Sequence, residues 1–504
     1  MKAFLIGFAV FFGVVFLSFL GLLLAGYIYG ETYVYDAPEH VELNANEFNT
    51  VTAVGKGLYD ENGDRYDIKG INFGNLFLTE AWMSINSVGA KTDKNGNYIK
   101  VSDDGNNIVE EYEEIYQDQM DKYLSRFSVE EIDALNKAYF ESFCTEADFQ
   151  IISEMGMNTI RLPIYYRTFL TTEVRYKLDN DGDDVDELDD ILCAMNFDEI
   201  ELVFDKLDTF LEYAKKYDLK VIVDMHGVMG GQSGMDHSGS EEADFWTNDA
   251  YIQFMCNLWK AIAEHYLNER SDLASTILAY DLVNEPTIKN DVGTMPYQWA
   301  VMDKLYKAIR EVDTYHVISI EGVWFPASLP SPEKYGWENV LYQYHYYNWD
   351  YMGTSNELFY SFMFGLDLVF NADVPKLVGE FSFFGNEDDW VKYLNKYDQM
   401  GWGWTVWSYK TISVGWWDNS WGLVVQKLHL YNKNGELNDN DPTNDNLKLD
   451  IRTASYGEIL AAWSNQTTAY GDQEGVYTYI NNFSTGEKGV LYRALERYFA
   501  QQEK

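Results

Sequence analysis

The sequence predicts an α/β fold, a (β/α)8 TIM barrel with loop insertions, preceded by an N-terminal transmembrane helix. Three observations predict it. Eight short β-type runs recur along the chain. Segments with apolar residues at three- and four-residue spacing separate them, as in parallel βα units. No glycine-rich phosphate turn follows the first run, as a doubly wound open sheet would require. The chain has 504 residues, 46% of them hydrophobic, which suffices for one large barrel with a substantial core.

The N-terminus differs from all that follows. From Ala3 to Tyr29 there is no charged residue, and spanning a bilayer takes about 20 apolar residues. A secretory signal has an apolar stretch of only about 7–15 residues and a small-x-small cleavage site. Here the stretch is longer and no Ala-x-Ala site is evident. Residues 1–29 therefore read as a membrane anchor, or as a signal if they are cleaved. Lys2 stays inside and the acidic remainder is exported. The expected location is the outer face of the cell membrane, or the medium after cleavage. Residues 30–52 are polar and acidic and read as a linker, and residues 53–504 as the barrel domain.

In "KGLYDENGDRYDIKGIN" the Asn62-Gly63 pair predicts a hairpin that caps the barrel floor. The strands are expected at 67–72, 158–163, 220–226, 276–284, 316–321, 340–345, 376–380 and 403–407, with helices between them. Two insertions interrupt the units, at 86–146 and 423–485. "NQT" at 465–467 and "NFS" at 482–484 are glycosylation sequons by pattern.

The formal net charge is −44, with acidic residues spread along the whole chain. That excludes nucleic acid and anionic membrane surfaces as partners, because phosphate binding needs clustered Lys and Arg. A neutral polymer such as a polysaccharide is compatible with it. Aromatic residues make up 16% of the chain, which suits either a core of large residues or platforms for flat sugar rings. The three cysteines, Cys144, Cys193 and Cys256, include no CxxC pair and predict neither a disulfide framework nor a thiolate metal site. Asp179, Asp181 and Asp183 have the odd spacing of a calcium loop. The glycine is misplaced and the twelfth position is Asp190, so the EF-hand pattern fails.

Reactive side chains of a (β/α)8 barrel lie at the carboxyl ends of its strands. Those positions hold Asn72, Arg161, His226, Asn284 with Glu285, Glu321, His345 with Tyr347, Glu380 and Trp407. Each alone has an ordinary structural explanation. Their joint placement at successive strand ends predicts one site. Glu285 ends the fourth run and Glu380 the seventh, on opposite sides of the mouth. Two opposed carboxylates are what glycosidic bond cleavage needs, one as acid and one as nucleophile or base. No HExxH or His-rich cluster suggests a metal, and no cofactor is expected.

"LVNEP" and "LVGEF" resemble the two glutamate motifs of glycoside hydrolase family 5, the cellulase-type family. "IRLPI", "DMHG", "YHYY" and "WSYK" stand around them in the matching order. "GINFGNLFLTEAW" and "DMHGVMGGQSGMDHSG" are most similar to the exo-β-1,3-glucanase-like branch. The chain departs from that branch at Asn75-Leu76, where Gly-Trp is usual. The resemblance implies a retaining double displacement on a β-linked glucan, 1,3 or 1,4, with Glu285 as acid/base and Glu380 as nucleophile. β-Mannan, a glycosylated lipid, or binding without catalysis on the same fold are the alternatives. It further implies that Arg161 and Tyr347 hold Glu380 ionised and that His345 tunes Glu285. His226, Asn284, Asn72 and Glu80 join the substrate-binding set, with Trp407 as its floor and a cis bond between Trp407 and Ser408. The substrate is the expected partner, the membrane is met only through the N-terminal helix, and the protein is expected to be a monomer.

Overall fold

The computed structural model describes residues 2–44, 46–87, 100–102, 108–110, 115–178, 188–288, 295–349, 355–370, 372–412, 421–426, 449–464 and 489–502. The Asp-rich stretch at 179–187 and both sequons lie outside the described residues, as does most of the 423–485 insertion.

Eight parallel strands close a barrel in sequence order. They are β1 (Lys69–Asn72), β2 (Thr159–Tyr165), β3 (Lys220–Gly227) and β4 (Ile277–Asp281), then β5 (Val317–Glu321), β6 (Val340–Tyr347), β7 (Lys376–Ser382) and β8 (Trp402–Val406). β8 closes on β1 through the pairs Trp404↔Lys69 and Val406↔Ile71. The strands read as near-continuous apolar runs because helices cover their outer faces while their inner faces fill the barrel. All eight expected strands are present.

Helices α1 (Lys2–Thr32), α2 (Gln117–Leu124), α3 (Val129–Phe143) and α4 (Glu146–Glu154) precede β2. Between β2 and β4 come α5 (Thr172–Lys177), α6 (Leu188–Ala194), α7 (Asp205–Lys216), α8 (Asp249–Glu264) and α9 (Ser271–Ala274). The rest are α10 (Pro296–Arg310), α11 (Asn356–Val369), α12 (Glu387–Met400), α13 (Tyr456–Trp463) and α14 (Val490–Gln502). α7 buries Leu207, Phe210, Leu211 and Ala214, one stripe at helical spacing, and exposes Glu212, Lys215 and Lys216. α3 starts at a reciprocal cap, in which the Ser128 side chain accepts from the Glu131 N–H and the Glu131 carboxylate accepts from the Ser128 N–H.

One expectation needs correction. The crossover from β5 to β6 contains no α-helix; it is built on short 3-10 turns at Pro326–Ser328 and Pro332–Lys334. Pro326, Pro330 and Pro332 lack the N–H that a helix interior needs. The expected hairpin at Asn62-Gly63 is present: Tyr59 and Arg65 bridge antiparallel across it, and the Tyr66 N–H donates to the Leu58 carbonyl. Thr52–Val54 pairs with Gly57–Tyr59 across a turn containing Gly55 at φ +57°. At the Asn62-Gly63 turn the Asp60 carboxylate accepts from the backbone N–H groups of Asn62 and Asp64. The hairpin does cap the floor: Val51, Leu58 and Ile68 pack on Ile222, Leu278, Val317, Leu341 and Leu377 at the strand starts.

The acidic stretch after α1 is laid along the barrel. The Tyr35 N–H donates to the Gln399 carbonyl, the Tyr59 hydroxyl to the Pro38 carbonyl, and the Thr50 hydroxyl to the Tyr315 carbonyl.

Candidate active site

The carboxyl ends of the strands surround a cleft of about 500 Å³. Glu285 and Glu380 face each other in it, with Glu80, His226, Asn284, Tyr347 and Trp407 also in the lining. Glu285 follows β4 at φ +36°, a backbone region that L-residues rarely adopt. Its N–H donates to Glu321 Oε2 at 2.8 Å, which anchors the turn from below.

Arg161, on β2, organises the floor and is wholly buried. Its Nη1 donates to Glu380 Oε1 at 2.9 Å and to Asn72 Oδ1 at 3.1 Å. Nη2 donates to Asn284 Oδ1 at 2.8 Å and lies 3.0 Å from Asp224 Oδ1. Nε donates to Asp281 Oδ2 at 3.0 Å. A planar guanidinium with five fixed donors suits such a site; an ammonium would not reach all of these acceptors.

Asn72 and Arg161, expected among the residues that meet the substrate, lie beneath the cleft and not in its lining. The Asn72 amide donates to the carbonyls of Gly379, Thr405 and Val406, tying β1 to β7 and β8. Its remaining oxygen is taken by Arg161, so it acts as a strap across the strand ends.

The other expected residues line the cleft, except His345, which is fully buried behind the two glutamates. The Tyr347 hydroxyl donates to Glu380 Oε2 at 3.0 Å. His345 Nδ1 is 2.9 Å from Glu285 Oε1 and 3.6 Å from Glu380 Oε2, bridging the two carboxylates. His226 bonds Asp224 through Nδ1 at 2.6 Å and stacks on Trp407 with ring centres 5.6 Å apart. The Trp407-Ser408 peptide is cis. Glu80 accepts from the Trp82 indole at 2.7 Å. Asn75, where the resemblance departs, sits at φ +69°. Its side chain bonds the Glu80 N–H and the Met83 carbonyl, which shapes the loop that presents Glu80.

Burial raises both catalytic candidates, Glu285 and Glu380, to about 7. Their partners separate them. Glu380 accepts charge-assisted bonds from Arg161 and a bond from Tyr347, which favour its ionised form. Among the described residues no Arg or Lys bonds Glu285; the Arg161 charge lowers it only from a distance, while Asp236 and Asp224 add their negative charge to burial in holding its proton on. Burial also pushes the His345 and His226 rings well below the usual histidine range, so both are neutral imidazoles. Glu80 is pushed well up by burial and by the charges of Asp236, Glu380 and Glu285.

Several residues in the site were not singled out from the sequence. His237 Nε2 lies 3.2 Å from Glu285 Oε2, so the acid/base candidate has an imidazole on each side. Its only sequence signal was its place in the long polar loop after β3. Asp224 and Asp281 interrupt apolar strand runs, a signal that was readable. Trp82, Trp324, Trp349 and Trp421 line the cleft with Trp407, and Trp421 meets Trp82 and Trp349 at ring separations of 5.2 and 5.8 Å.

Ligand atoms of Glu285, His345 and Glu380 lie within 4.8 Å of one another. A metal ion there would sit against the Arg161 guanidinium, already bonded to Glu380. The same closeness fits two carboxyl groups serving one anomeric carbon directly, whose separation is about 5–5.5 Å in retaining enzymes and about 6.5–9.5 Å in inverting ones.

Closed parallel barrel and paired carboxylates at its mouth together define the architecture of a barrel glycosidase. Residues 120–420 match the family described as cellulase (glycosyl hydrolase family 5), and the chain belongs to that family of glycosidases. A beta-xylosidase of Phanerodontia chrysosporium is 28% identical over 218 residues, 42% of this chain and 39% of that protein. A protein of Aspergillus fumigatus named "Probable glucan 1,3-beta-glucosidase A" is 23% identical over 354 residues, 67% of this chain and 69% of its own length. Among solved structures, the rutinosidase from Aspergillus niger is similar at 15% identity and a TM-score of 0.48, covering 69% of this chain and 90% of that one.

Proposed function

We propose that the protein is a retaining β-glucan hydrolase, cleaving 1,3- or 1,4-linked glucosyl units outside the cytoplasm from a membrane-anchored position. The observation that carries this reading is the pairing of Glu285 and Glu380 across one cleft, bridged by His345 and unequal in their partners.

Glu380 attacks the anomeric carbon while Glu285 protonates the leaving oxygen, and the glycosidic C–O bond breaks as the Glu380–C1 bond forms. The covalent intermediate removes the Glu380 charge, so the Glu285 pKa falls and Glu285 takes a proton from the incoming water. Water then displaces Glu380. The neutral His345 keeps Glu285 positioned from one side and His237 contacts its other oxygen. Asn284, its oxygen held by Arg161, turns its N–H groups toward the sugar 2-hydroxyl, a bond that strengthens as oxocarbenium character develops. The indoles give flat apolar faces to sugar rings.

Assays of Glu285→Gln and Glu380→Gln on β-1,3- and β-1,4-glucan oligosaccharides and on aryl β-glucosides test the reading. Each variant should lose about 10³-fold or more in kcat/KM. Near-normal rates in both would refute it, and activity confined to β-xylosides would move the substrate class.

A further inference from the structure

α11 is unusual for an outer helix of a barrel because it is apolar on both sides. It buries Tyr360, Met363 and Phe364 inward. Outward it carries Leu358, Phe362, Leu366 and Val369, one stripe at helical spacing, continued by Leu368 and Phe370. Leu358 is 46% exposed, Val369 61% and Phe370 48%. A surface helix normally turns a polar face to water, and one that is apolar all round meets another apolar phase.

α1 packs beside that stripe, on Ser361, Phe364 and Gly365, and reaches it at Phe362 through the Phe19 ring, 5.8 Å away between centres. A Cβ on Gly26 would come within 1.9 Å of the Ser361 carbonyl oxygen, and one on Gly30 within 2.4 Å of the Phe364 ring. A Cβ on Gly365 would meet the Leu22 carbonyl oxygen at 2.7 Å. Gly26 and Gly365 thus let the two backbones touch, the small-residue contact by which helices associate closely, and Gly30 admits the Phe364 ring. Beyond the contact, Lys396 donates to the Gly30 carbonyl and pairs with Glu31. The C-terminal third of α1 is therefore part of the barrel wall. What remains of its uncharged run, residues 3–21, is about 28 Å of helix, close to the thickness of a bilayer core. No length is left over for a flexible stalk.

Building on the anchor reading above, we propose that the α1–α11 contact holds the outward face of α11 against the lipid bilayer. The barrel then lies on the membrane in one orientation. With a net charge of −44, the partner surface is a neutral, zwitterionic one, since anionic headgroups would repel the domain.

The test uses the full chain in phosphatidylcholine nanodiscs, with the photo-crosslinker p-benzoylphenylalanine in place of Leu358, Val369 or, as a control, the exposed Lys137 of α3. Irradiation should give lipid adducts at 358 and 369 several-fold above those at 137. Gly26→Leu, which forces α1 off α11, should lower the adducts at 358 several-fold while the protein stays in the discs. Adducts no higher than the control, or unchanged by Gly26→Leu, would overturn the proposal and leave the anchor standing. Protein–protein adducts at 358 would assign the face to a second copy and overturn it equally. A chain that never enters the discs would sink the anchor reading itself, and this proposal with it.

Discussion

Glu285 sits between two imidazoles, and the one contributed by His237 has the most to reveal about how this site is tuned. As the acid/base passes to its ionised form, a ring N–H within 3.2 Å donates to it and lowers its pKa. Removing that donor in His237→Ala should raise the alkaline limb of the kcat/KM profile by about one pH unit. kcat should fall about tenfold as the carboxyl loses its fixed orientation. A profile of unchanged shape would show that His237 only fills space. Burial raises Glu285 to about 7, so the wild-type limb should lie near there, activity falling as pH rises through it and the acid loses its proton. The two glutamates and their order were legible because each ends an apolar run with a charge. His237 was not. A loop histidine carries no periodic signal, and only the fold of residues 228–247 brings it to the cleft.

Among the elements, the segment after β8 depends on a buried ion pair. Lys410 lies 3.1 Å from Asp148, the third residue of α4, and also donates to the Phe143 carbonyl. The Tyr409 hydroxyl donates to the same carboxylate at 2.8 Å. This pins the chain just past Trp407 to the helices leading into β2, so the floor of the cleft is fixed by a contact between distant parts of the sequence. Lys410→Met would strand a buried carboxylate and should cost about 3–5 kcal/mol of stability. Chemical denaturation measures this directly; a loss under about 1 kcal/mol would mean that Tyr409 and the α4 cap suffice for Asp148. The strands were legible throughout, since a fully buried parallel strand must be an apolar run of limited length. The helix-free crossover between β5 and β6 was written in Pro326, Pro330 and Pro332, but expectation of a repeating unit overrode them. Asn72 was placed correctly at a strand end and wrongly in the substrate's reach. Position along a strand does not say whether a side chain points up into the mouth or sideways under it.

Taken whole, the molecule carries a stability cost at its centre. Asp224, Asp281 and Glu285 are each raised by burial to about 7, against about 4 for exposed carboxyls. The folded state thus keeps protons that the unfolded chain has already released. Stability is full below the unfolded pKa values and is lost as pH rises from about 4 towards 7, with a slope set by the difference in bound protons. Glu285→Gln removes one such group and should stabilise the protein at pH 8 by about 1–3 kcal/mol relative to wild type, with no gain at pH 4. Thermal unfolding at the two pH values checks it, and an equal shift at both would point to packing instead. The acidic surface, with its net charge of −44, adds self-repulsion in the same direction.

Two carboxylates, one just past β4 and one on β7, serve one anomeric carbon in two successive displacements. Proton NMR of the first turnovers on an aryl β-glucoside or a β-glucan oligosaccharide that the enzyme accepts reads this directly. The newly released reducing end should appear first as the β-anomer and equilibrate to α only later; initial release of the α-anomer would rule out a double displacement.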